Sequence, residues 1–228
     1  MKRLAIIPAR SGSKGLRDKN VLAIRGKPLL AYAIESATDS GLFDRVIVST
    51  DSPRYAEISR ACGAEVMMRS QELSGDNVCS FMVICDVLER VGESYDYFML
   101  LQPTSPLRRA HHVREAVRLF EAQTERYDFL VSVTRAPHAA LLVHPLDNGS
   151  LRWFDADFST YRRQRATEYV PNGAIFIGKP EAYLSQKHFF GARSLAYVMT
   201  KRDSVDVDDE IDFKLATVLI QEEEHGTS

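Results

Sequence analysis

Residues 1–20, MKRLAIIPARSGSKGLRDKN, join a short apolar run to a loop that is rich in cations and glycine. Residues 4–7 contain no polar side chain, as is typical of a central parallel strand that is buried on both faces. The loop behind them contains Arg10, Lys14, Arg17 and Lys19 together with Gly12 and Gly15. Ligands of open parallel sheets bind at the carboxyl ends of the strands, and glycine lets backbone N–H groups approach an anion closely. The loop therefore predicts a cradle for a polyphosphate, with an ordinary solvated basic loop as the alternative.

Strand-like and helix-like segments alternate along most of the chain. Apolar runs predict strands at residues 4–7, 45–50, 65–68, 97–101, 129–133, 174–177 and 195–199. Apolar residues recur at helical spacing between them, as in Phe81, Ile84, Leu88 and Val91. Strands separated by such helices imply right-handed crossovers. We therefore expect an α/β fold with a mostly parallel, Rossmann-like sheet and helices on both faces.

The alternation is interrupted between residues 139 and 170. The sequence Asp147-Asn148-Gly149 lies between apolar pieces, which is a strong signal for a β-hairpin. We therefore divide the chain into a nucleotide-binding part at 1–138, an inserted arm at 139–170 and the rest of the α/β domain at 171–228. The arm contains several aromatic residues: Trp153, Phe154, Phe158 and Tyr161. Such residues are unusual on a free surface, so we expect the arm to pack on a second copy in a homodimer, or else on its own sheet.

Composition limits the possible partners and locations. The net charge of −2 and the pI of about 6.3 disfavour a nucleic-acid partner, which usually requires a basic surface. The sequence has no apolar segment of the length that a membrane span requires, about 20 residues. Three cysteines without C-x-x-C spacing are typical of reduced thiols. We expect a soluble cytoplasmic protein without a membrane or nucleic-acid partner.

The segment SVDVDDEID, residues 204–212, places Asp206 and Asp208 two positions apart. In an extended segment both carboxylates face the same side, and paired carboxylates together with phosphate oxygens suit Mg²⁺. Acidic residues also stabilise helix N-termini, so a capping role is the alternative. We assign Asp209 and Glu210 to a helix cap, and Asp206 and Asp208 to the metal.

Six segments together resemble the CMP-sialic acid synthetase family, the cytidylyltransferases that activate nine-carbon 2-keto sugar acids with CTP. The segments, in the family's order, are PARSGSKGLRDKN (8–20), RVIVSTD (45–51), MRSQELSGD (68–76), LLQPTSPLR (100–108), PNGAIFI (171–177) and SVDVDDEID (204–212). The resemblance covers nearly the whole chain. It implies a nucleotidyltransferase sheet with an inserted β-hairpin dimerisation arm.

The resemblance also implies roles for individual residues. Those that would hold the nucleotide are Arg10, Ser13, Lys14, Lys19 and Asn20, with Arg69 and Ser80 at the ribose or cytosine. Those that would contact the sugar are Gln102, Arg162, Arg163, Asn172, Phe176, Phe189 and Phe190. Asp206 and Asp208 would hold Mg²⁺ and, with Arg10 and Lys19, would form the catalytic group.

The implied reaction is attack of the sugar's anomeric hydroxyl on the α-phosphorus of CTP, with release of pyrophosphate. No motif places a histidine as a base. His111 and His112 are predicted at a helix start and facing solvent, which leaves His138 and His188, beside the sugar region, as the remaining candidates. The segment YRRQRATEY (161–169) departs from the family pattern in the sugar-binding half, so legionaminic or pseudaminic acid is an alternative substrate. The enzymes for 3-deoxy-manno-octulosonate fit less well. A non-catalytic nucleotide sensor is a second class of function, and the missing G-x-G-x-x-G disfavours an oxidoreductase.

Overall fold

A computed structural model describes residues 1–12, 15–75, 78–154 and 168–225. Its strands are β1 (Arg3–Ala9), β2 (Ala23–Ile24), β3 (Lys27–Pro28), β4 (Arg45–Thr50), β5 (Glu65–Met68), β6 (Tyr97–Leu100), β7 (Phe129–Arg135), β8 (Tyr169–Gly178) and β9 (Ser194–Val198). Its α-helices are α1 (Leu29–Thr38), α2 (Pro53–Ala61), α3 (Ser80–Arg90), α4 (Ala110–Glu121), α5 (Pro180–Gln186) and α6 (Glu210–His225). All seven predicted strands are confirmed. The largest difference is in β8, which begins five residues earlier than its apolar run.

Seven of these strands form one sheet in the order β5-β4-β1-β6-β8-β7-β9. The pairs β4–β5, β1–β4, β1–β6 and β7–β9 are parallel. Strand β8 runs antiparallel to both of its neighbours, β6 and β7. The predicted mostly parallel α/β fold is thus confirmed. The reversed direction of β8 also carries its first residues to the edge where the parallel strands end.

Helices cover both faces of the sheet, as the central apolar strands β1 and β6 require. In β1 the side chains of Ala5 and Ile7 face one cluster, which includes Leu30 of α1 and Val113 of α4. Leu4 and Ile6 face the other cluster, to which α3 contributes Ile84 and Val87. A third cluster packs α6 through Ala216 and Ile220 against Leu107 and Val207. This last cluster fixes the acidic segment before α6 beside the end of β6.

The start of the predicted arm contains a tight turn. Asp147 and Ser150 exchange two backbone hydrogen bonds, with N···O distances of 3.1 and 2.8 Å. Asn148 and Gly149 both have positive φ, 48° and 82°, as the hairpin turns of this kind require. The turn is confirmed, but among residues 139–154 its pairing is one isolated bridge and not a longer ladder. Phe158, Tyr161, Arg162 and Arg163 lie outside the described residues, and the three-part division of the chain stays a prediction.

His112 corrects the expectation that both histidines face solvent. It is 6% exposed, and its Nδ1 accepts a hydrogen bond from the backbone N–H of Arg109 at 3.0 Å. Its Nε2 lies 3.6 Å from Oδ2 of Asp203, and burial lowers its pKa. The ring therefore stabilises the start of α4 and a distant loop, while His111 is exposed.

No described helix is both long and apolar enough to cross a membrane.

Candidate active site

A cleft of about 650 Å³ opens at the carboxyl edge of β1, β4 and β6. It is lined by eight residues that the sequence predicts as functional: Arg10, Lys19, Asn20, Arg69, Ser80, Gln102, Asp206 and Asp208. They come from five separate segments of the chain, so the fold brings together what the sequence keeps apart. The cleft therefore coincides with the predicted nucleotide site.

A second cavity of about 720 Å³ lies at the opposite edge of the sheet. Its lining includes the carboxylates of Glu89, Glu93, Asp96, Asp128 and Glu181. The lining also contains Lys179, whose ammonium group is already paired with Asp128 at 2.9 Å. A lining with this excess of negative charge repels a polyphosphate, so the smaller cleft is the better candidate.

The basic loop is held by hydrogen bonds at both of its ends. The backbone N–H and the hydroxyl of Ser11 donate to the two carboxylate oxygens of Asp51, at 2.8 and 2.9 Å. Asn20 is 5% exposed, and its Nδ2 donates to the carbonyl of Arg10 at 3.0 Å. The Asn20 amide thus closes the loop. The predicted residues Ser13 and Lys14 lie outside the described residues.

The loop also contacts the acidic segment directly. Lys19 Nζ donates to the carbonyl of Val207 at 3.0 Å and to Oδ1 of Asp208 at 2.8 Å. Gly15 approaches the same segment so closely that a Cβ there would lie 2.6 Å from the Asp208 carbonyl oxygen. A side chain at position 15 would therefore force the loop and the acidic segment apart. The basic loop and the acidic segment are thus packed together as one unit.

The two acidic side chains differ in their surroundings. The Asp208 side chain is 75% exposed at the cleft. Asp206 is mostly buried, and its Oδ1 has no hydrogen-bond partner among the described residues. Burial raises the pKa of Asp206. The hydrogen bond with Thr104 acts in the opposite direction, while the negative charge of Asp208 raises this pKa further. An unpartnered buried carboxylate oxygen is costly, so this carboxylate suits a bound cation.

Asp209, by contrast, has the capping role that the sequence predicts. Its Oδ1 accepts hydrogen bonds from the backbone N–H groups of Ile211 at 2.8 Å and Asp212 at 3.0 Å. Glu210 begins α6 and lies 3.1 Å from Lys214, one turn further on. The capping assignment is confirmed for Asp209, whereas Glu210 lies in the first turn of α6 without a cap hydrogen bond among the described residues; Asp206 and Asp208 line the cleft.

Arg69 and Ser80 border the cleft on the side of β4 and α3. The guanidinium of Arg69 donates to the hydroxyl and the carbonyl of Ser49, both at 2.9 Å. Burial lowers its pKa to about 10, so it stays charged at neutral pH. Ser80 begins α3, where the backbone N–H groups of a helix lack internal partners and favour an acceptor. Val78 and Cys79 also line the cleft and were not predicted from the sequence. Only their position next to Ser80 could have indicated that they lie there.

Gln102 is the predicted sugar contact that the structure places in the cleft. Its Oε1 lies close to Gly173, whose φ is 75° and where a Cβ would stand 2.7 Å from that oxygen. The positive φ favours glycine at 173, and a side chain there would also displace the end of the Gln102 side chain. Arg162 and Arg163 lie outside the described residues, so their predicted sugar contacts are untested.

Asn172 has a structural role in this conformation. Its Oδ1 accepts from the hydroxyl of Ser132 at 2.6 Å and from the N–H of Ala174 at 3.2 Å. Its Nδ2 donates to the hydroxyl of Ser204 at 2.8 Å and contacts Sδ of Met199 at 3.3 Å. The buried amide therefore ties β7 and β8 to the loop that leads to Asp206. The amide oxygen and nitrogen already have protein partners in this conformation. The predicted contact of Asn172 with a sugar stays a prediction.

The predicted aromatic residues lie away from the cleft. Phe176 and Phe189 are 8% and 6% exposed, and their rings pack 5.0 Å apart in the core beneath α3 and α5. Phe190 is 49% exposed and lines a separate hollow of about 220 Å³ beside Val133 and Pro171. Strand β8 and the loop after α5 turn the rings of Phe176 and Phe189 towards the helices. A sugar contact for the three rings stays a prediction.

Comparison with known proteins identifies the family of the chain. A family model described as cytidylyltransferase matches residues 4–224. The chain belongs to the cytidylyltransferase family. An N-acylneuraminate cytidylyltransferase of Escherichia coli O18:K1:H7 is 50% identical over 221 residues, which are 96% of this chain and 52% of that protein. The predicted membership of the CMP-sialic acid synthetase family is thereby confirmed.

This cytidylyltransferase chain also matches relatives of its own length. A pseudaminic acid cytidylyltransferase of Campylobacter jejuni strain 81-176 is 30% identical over 225 residues, 96% of each chain. By comparison, the chain spans about half the length of the N-acylneuraminate enzymes it matches. A solved CMP:2-keto-3-deoxy-manno-octonic acid synthetase complexed with CTP aligns with a TM-score of 0.72 at 18% identity, covering 98% of this chain and 100% of that one. At that identity, the structure shows a shared fold.

The contact of Gly15 with Asp208 yields a prediction. The substitution Gly15→Ala should weaken CTP binding by about tenfold or more, because a misfit in a packed contact costs roughly 1–3 kcal/mol and about 1.4 kcal/mol corresponds to tenfold. Calorimetric titration with CTP and Mg²⁺ measures this change.

The matched control is Gly12→Ala in the same loop, where a Cβ would meet nothing within 4 Å. Its CTP affinity should equal that of the wild type. If Gly15→Ala bound CTP as tightly as Gly12→Ala does, this would contradict the functional importance of the close packing between the loop and the acidic segment.

Proposed function

We propose that this cytidylyltransferase transfers CMP from CTP to a nine-carbon 2-keto sugar acid of the N-acylneuraminate type. The observation that carries the proposal is the cleft in which Lys19 and Gly15 of the basic loop contact the Asp206–Asp208 segment. The 50% identity to an N-acylneuraminate cytidylyltransferase supports the choice of sugar class. Legionaminic and pseudaminic acids are the alternative substrates, since enzymes named for both are about 30% identical to this chain.

In the proposed reaction the anomeric hydroxyl oxygen forms a bond to the α-phosphorus of CTP and releases its proton to solvent. The bond from that phosphorus to the bridging oxygen of the β-phosphate breaks, and pyrophosphate leaves with the developing negative charge. Arg10 and Lys19 line the cleft where this charge develops. Fixed cations stabilise such charge without having to reorganise, and positioning supplies much of the remaining rate enhancement.

The carboxylates of Asp206 and Asp208 are suited to bind a divalent cation. Asp206 offers a buried oxygen without a hydrogen-bond partner, and Asp208 is exposed beside it. Among the described residues no group of three or more potential ligands is gathered, so phosphate oxygens would complete the coordination, as is usual for Mg²⁺. When bound, Mg²⁺ would neutralise charge on the phosphates. The ammonium group of Lys19, which pairs with Asp208, adds a second positive charge at the same site.

The function is tested by pyrophosphate release with CTP against N-acetylneuraminate, legionaminate, pseudaminate and 3-deoxy-manno-octulosonate. We expect release with N-acetylneuraminate and CTP, and none when UTP or ATP replaces CTP. The variant Lys19→Ala should lose about 100-fold or more in turnover, because removing one preorganised charge-stabilising group typically costs that much.

Release with legionaminate or pseudaminate alone would select an alternative substrate. Binding of CTP without release for any sugar would favour the nucleotide sensor. Turnover of Lys19→Ala near the wild-type rate would contradict the role of Lys19.

The different surroundings of Asp208 and Asp209 give a matched pair for the metal. Asp208→Asn should raise the Mg²⁺ concentration needed for half-maximal turnover, because the neutral amide binds the cation more weakly. Asp209→Asn should leave that concentration unchanged, since asparagine caps helices as well as aspartate does. The Mg²⁺ titration of pyrophosphate release measures both, and an unchanged titration for Asp208→Asn would assign the whole acidic segment to capping.

We also propose that the chain forms a homodimer through the start of the arm and the edge strand β9. Large apolar side chains are exposed in the arm, in β8, before β9 and in β9: Trp153 at 46%, Tyr169 at 51%, Val170 at 39%, Phe190 at 49% and Val198 at 57%. Apolar patches and open sheet edges of this kind are commonly covered by a partner.

Sedimentation velocity at micromolar concentration should therefore give a species of twice the chain mass of 25.7 kDa. Val198→Glu should shift it towards the monomer. Ile211→Glu, at a 75% exposed position on α6, is the control and should not. A wild-type monomer would contradict the proposal.

A further inference from the structure

Arg108 is a buried cation directly behind the cleft. It ends the segment LLQPTSPLR, and its side chain is 1% exposed. Its Nε donates to the Ser36 hydroxyl at 3.1 Å, and its Nη2 has no partner among the described residues. Burial lowers its pKa, while the negative charge of Asp206 acts in the opposite direction. A guanidinium in such a place is costly to desolvate, which points to a role beyond packing.

The hydrogen bonds of Nη1 connect the backbone at Gln102, a residue that lines the cleft, with strand β8 beside it. This nitrogen donates to the carbonyl of Gln102 at 2.9 Å and to the carbonyl of Ala174 at 2.7 Å. Gln102 follows β6, and Ala174 lies in β8. One atom of Arg108 thus sets the spacing between the backbone just after β6 and the middle of its antiparallel neighbour β8.

Asp206 rests against these same two segments. A Cβ on Gly173, the residue before Ala174, would stand 2.7 Å from Oε1 of Gln102 and 3.2 Å from Oδ2 of Asp206. The Asp206 carboxylate therefore packs against backbone whose position depends on the Arg108 hydrogen bonds. A change in the spacing of Gln102 and Ala174 would move that carboxylate.

We propose that Arg108 is a positioning residue for the divalent-cation site: it holds the Gln102 and Ala174 carbonyls together, fixes the place of Asp206 and supplies a buried positive charge behind it. The inference rests on the proposed function, because it takes Asp206 as a ligand of the cation. Arg108 does not line the cleft, so it acts through these contacts and does not touch the nucleotide.

The test compares CTP affinity with Mg²⁺ and with EDTA, measured by calorimetry without sugar. The variants are Arg108→Lys, Arg108→Met and the control Ser36→Ala, which removes the acceptor of Arg108 Nε but leaves both carbonyl contacts. In the wild type, Mg²⁺ should strengthen CTP binding. In Arg108→Met that strengthening should fall by about 10-fold or more, the usual effect of removing a group that orients a metal ligand.

The titration in EDTA distinguishes a positioning role of Arg108 from a general disturbance of the cleft. Metal-free CTP affinity should be unchanged in all three variants, because Arg108 does not contact the nucleotide. Ser36→Ala should lower the melting temperature yet keep the full effect of Mg²⁺. In Arg108→Lys the strengthening of CTP binding by Mg²⁺ should lie between those of the wild type and Arg108→Met, since the ammonium keeps the charge but lacks the planar fork of the guanidinium. If Arg108→Met does not fold, Arg108→Lys serves as the test variant.

An unchanged effect of Mg²⁺ in a folded Arg108 variant would overturn the role of Arg108 alone, provided that the wild type shows the effect. Equal losses with Mg²⁺ and EDTA would also overturn it, because they indicate a general disturbance of the cleft. No effect of Mg²⁺ on the wild type would overturn both this role and the proposed metal site.

Discussion

The site depends on one strand that runs against the direction of its neighbours. Because β8 is antiparallel to β6 and β7, its first residues lie where those strands end. Asn172 and Gly173 are thereby placed beside Gln102 and Asp206, and the Asn172 amide joins β7, β8 and the loop before the acidic segment. In a parallel orientation the same residues would lie at the far edge of the sheet. The direction of β8 is thus a condition for assembling the cleft.

Local chemistry explains what the sequence could predict. Predominantly apolar runs predicted the seven strands of the sheet, since strands buried on both faces need mainly apolar side chains. Asp209 was assigned correctly because a helix cap involves only neighbouring residues. The cationic loop was placed at the cleft because an open sheet binds ligands at one edge. Each of these inferences uses residues that are close together in the chain.

The remaining features arise from contacts between distant residues. His112 is buried because Asp203, from a loop near the end of the chain, lies against it. The saturation of Asn172 and the core position of Phe189 are equally long-range. Lys19 and Asp208 are 189 positions apart, so their ion pair has no local signal. Family motifs place such residues in the right region, but only the fold shows whether a side chain lines the cleft or supports it.

The arm has a further property of practical use. Trp153, the chain's single tryptophan, is half-exposed, with the Arg152 guanidinium 4.7 Å from its ring centre, and it does not line the cleft. Intrinsic tryptophan emission from this protein therefore comes from the start of the arm alone. A blue shift of that emission on concentration would report burial of the arm, without any label and without interference from the nucleotide site.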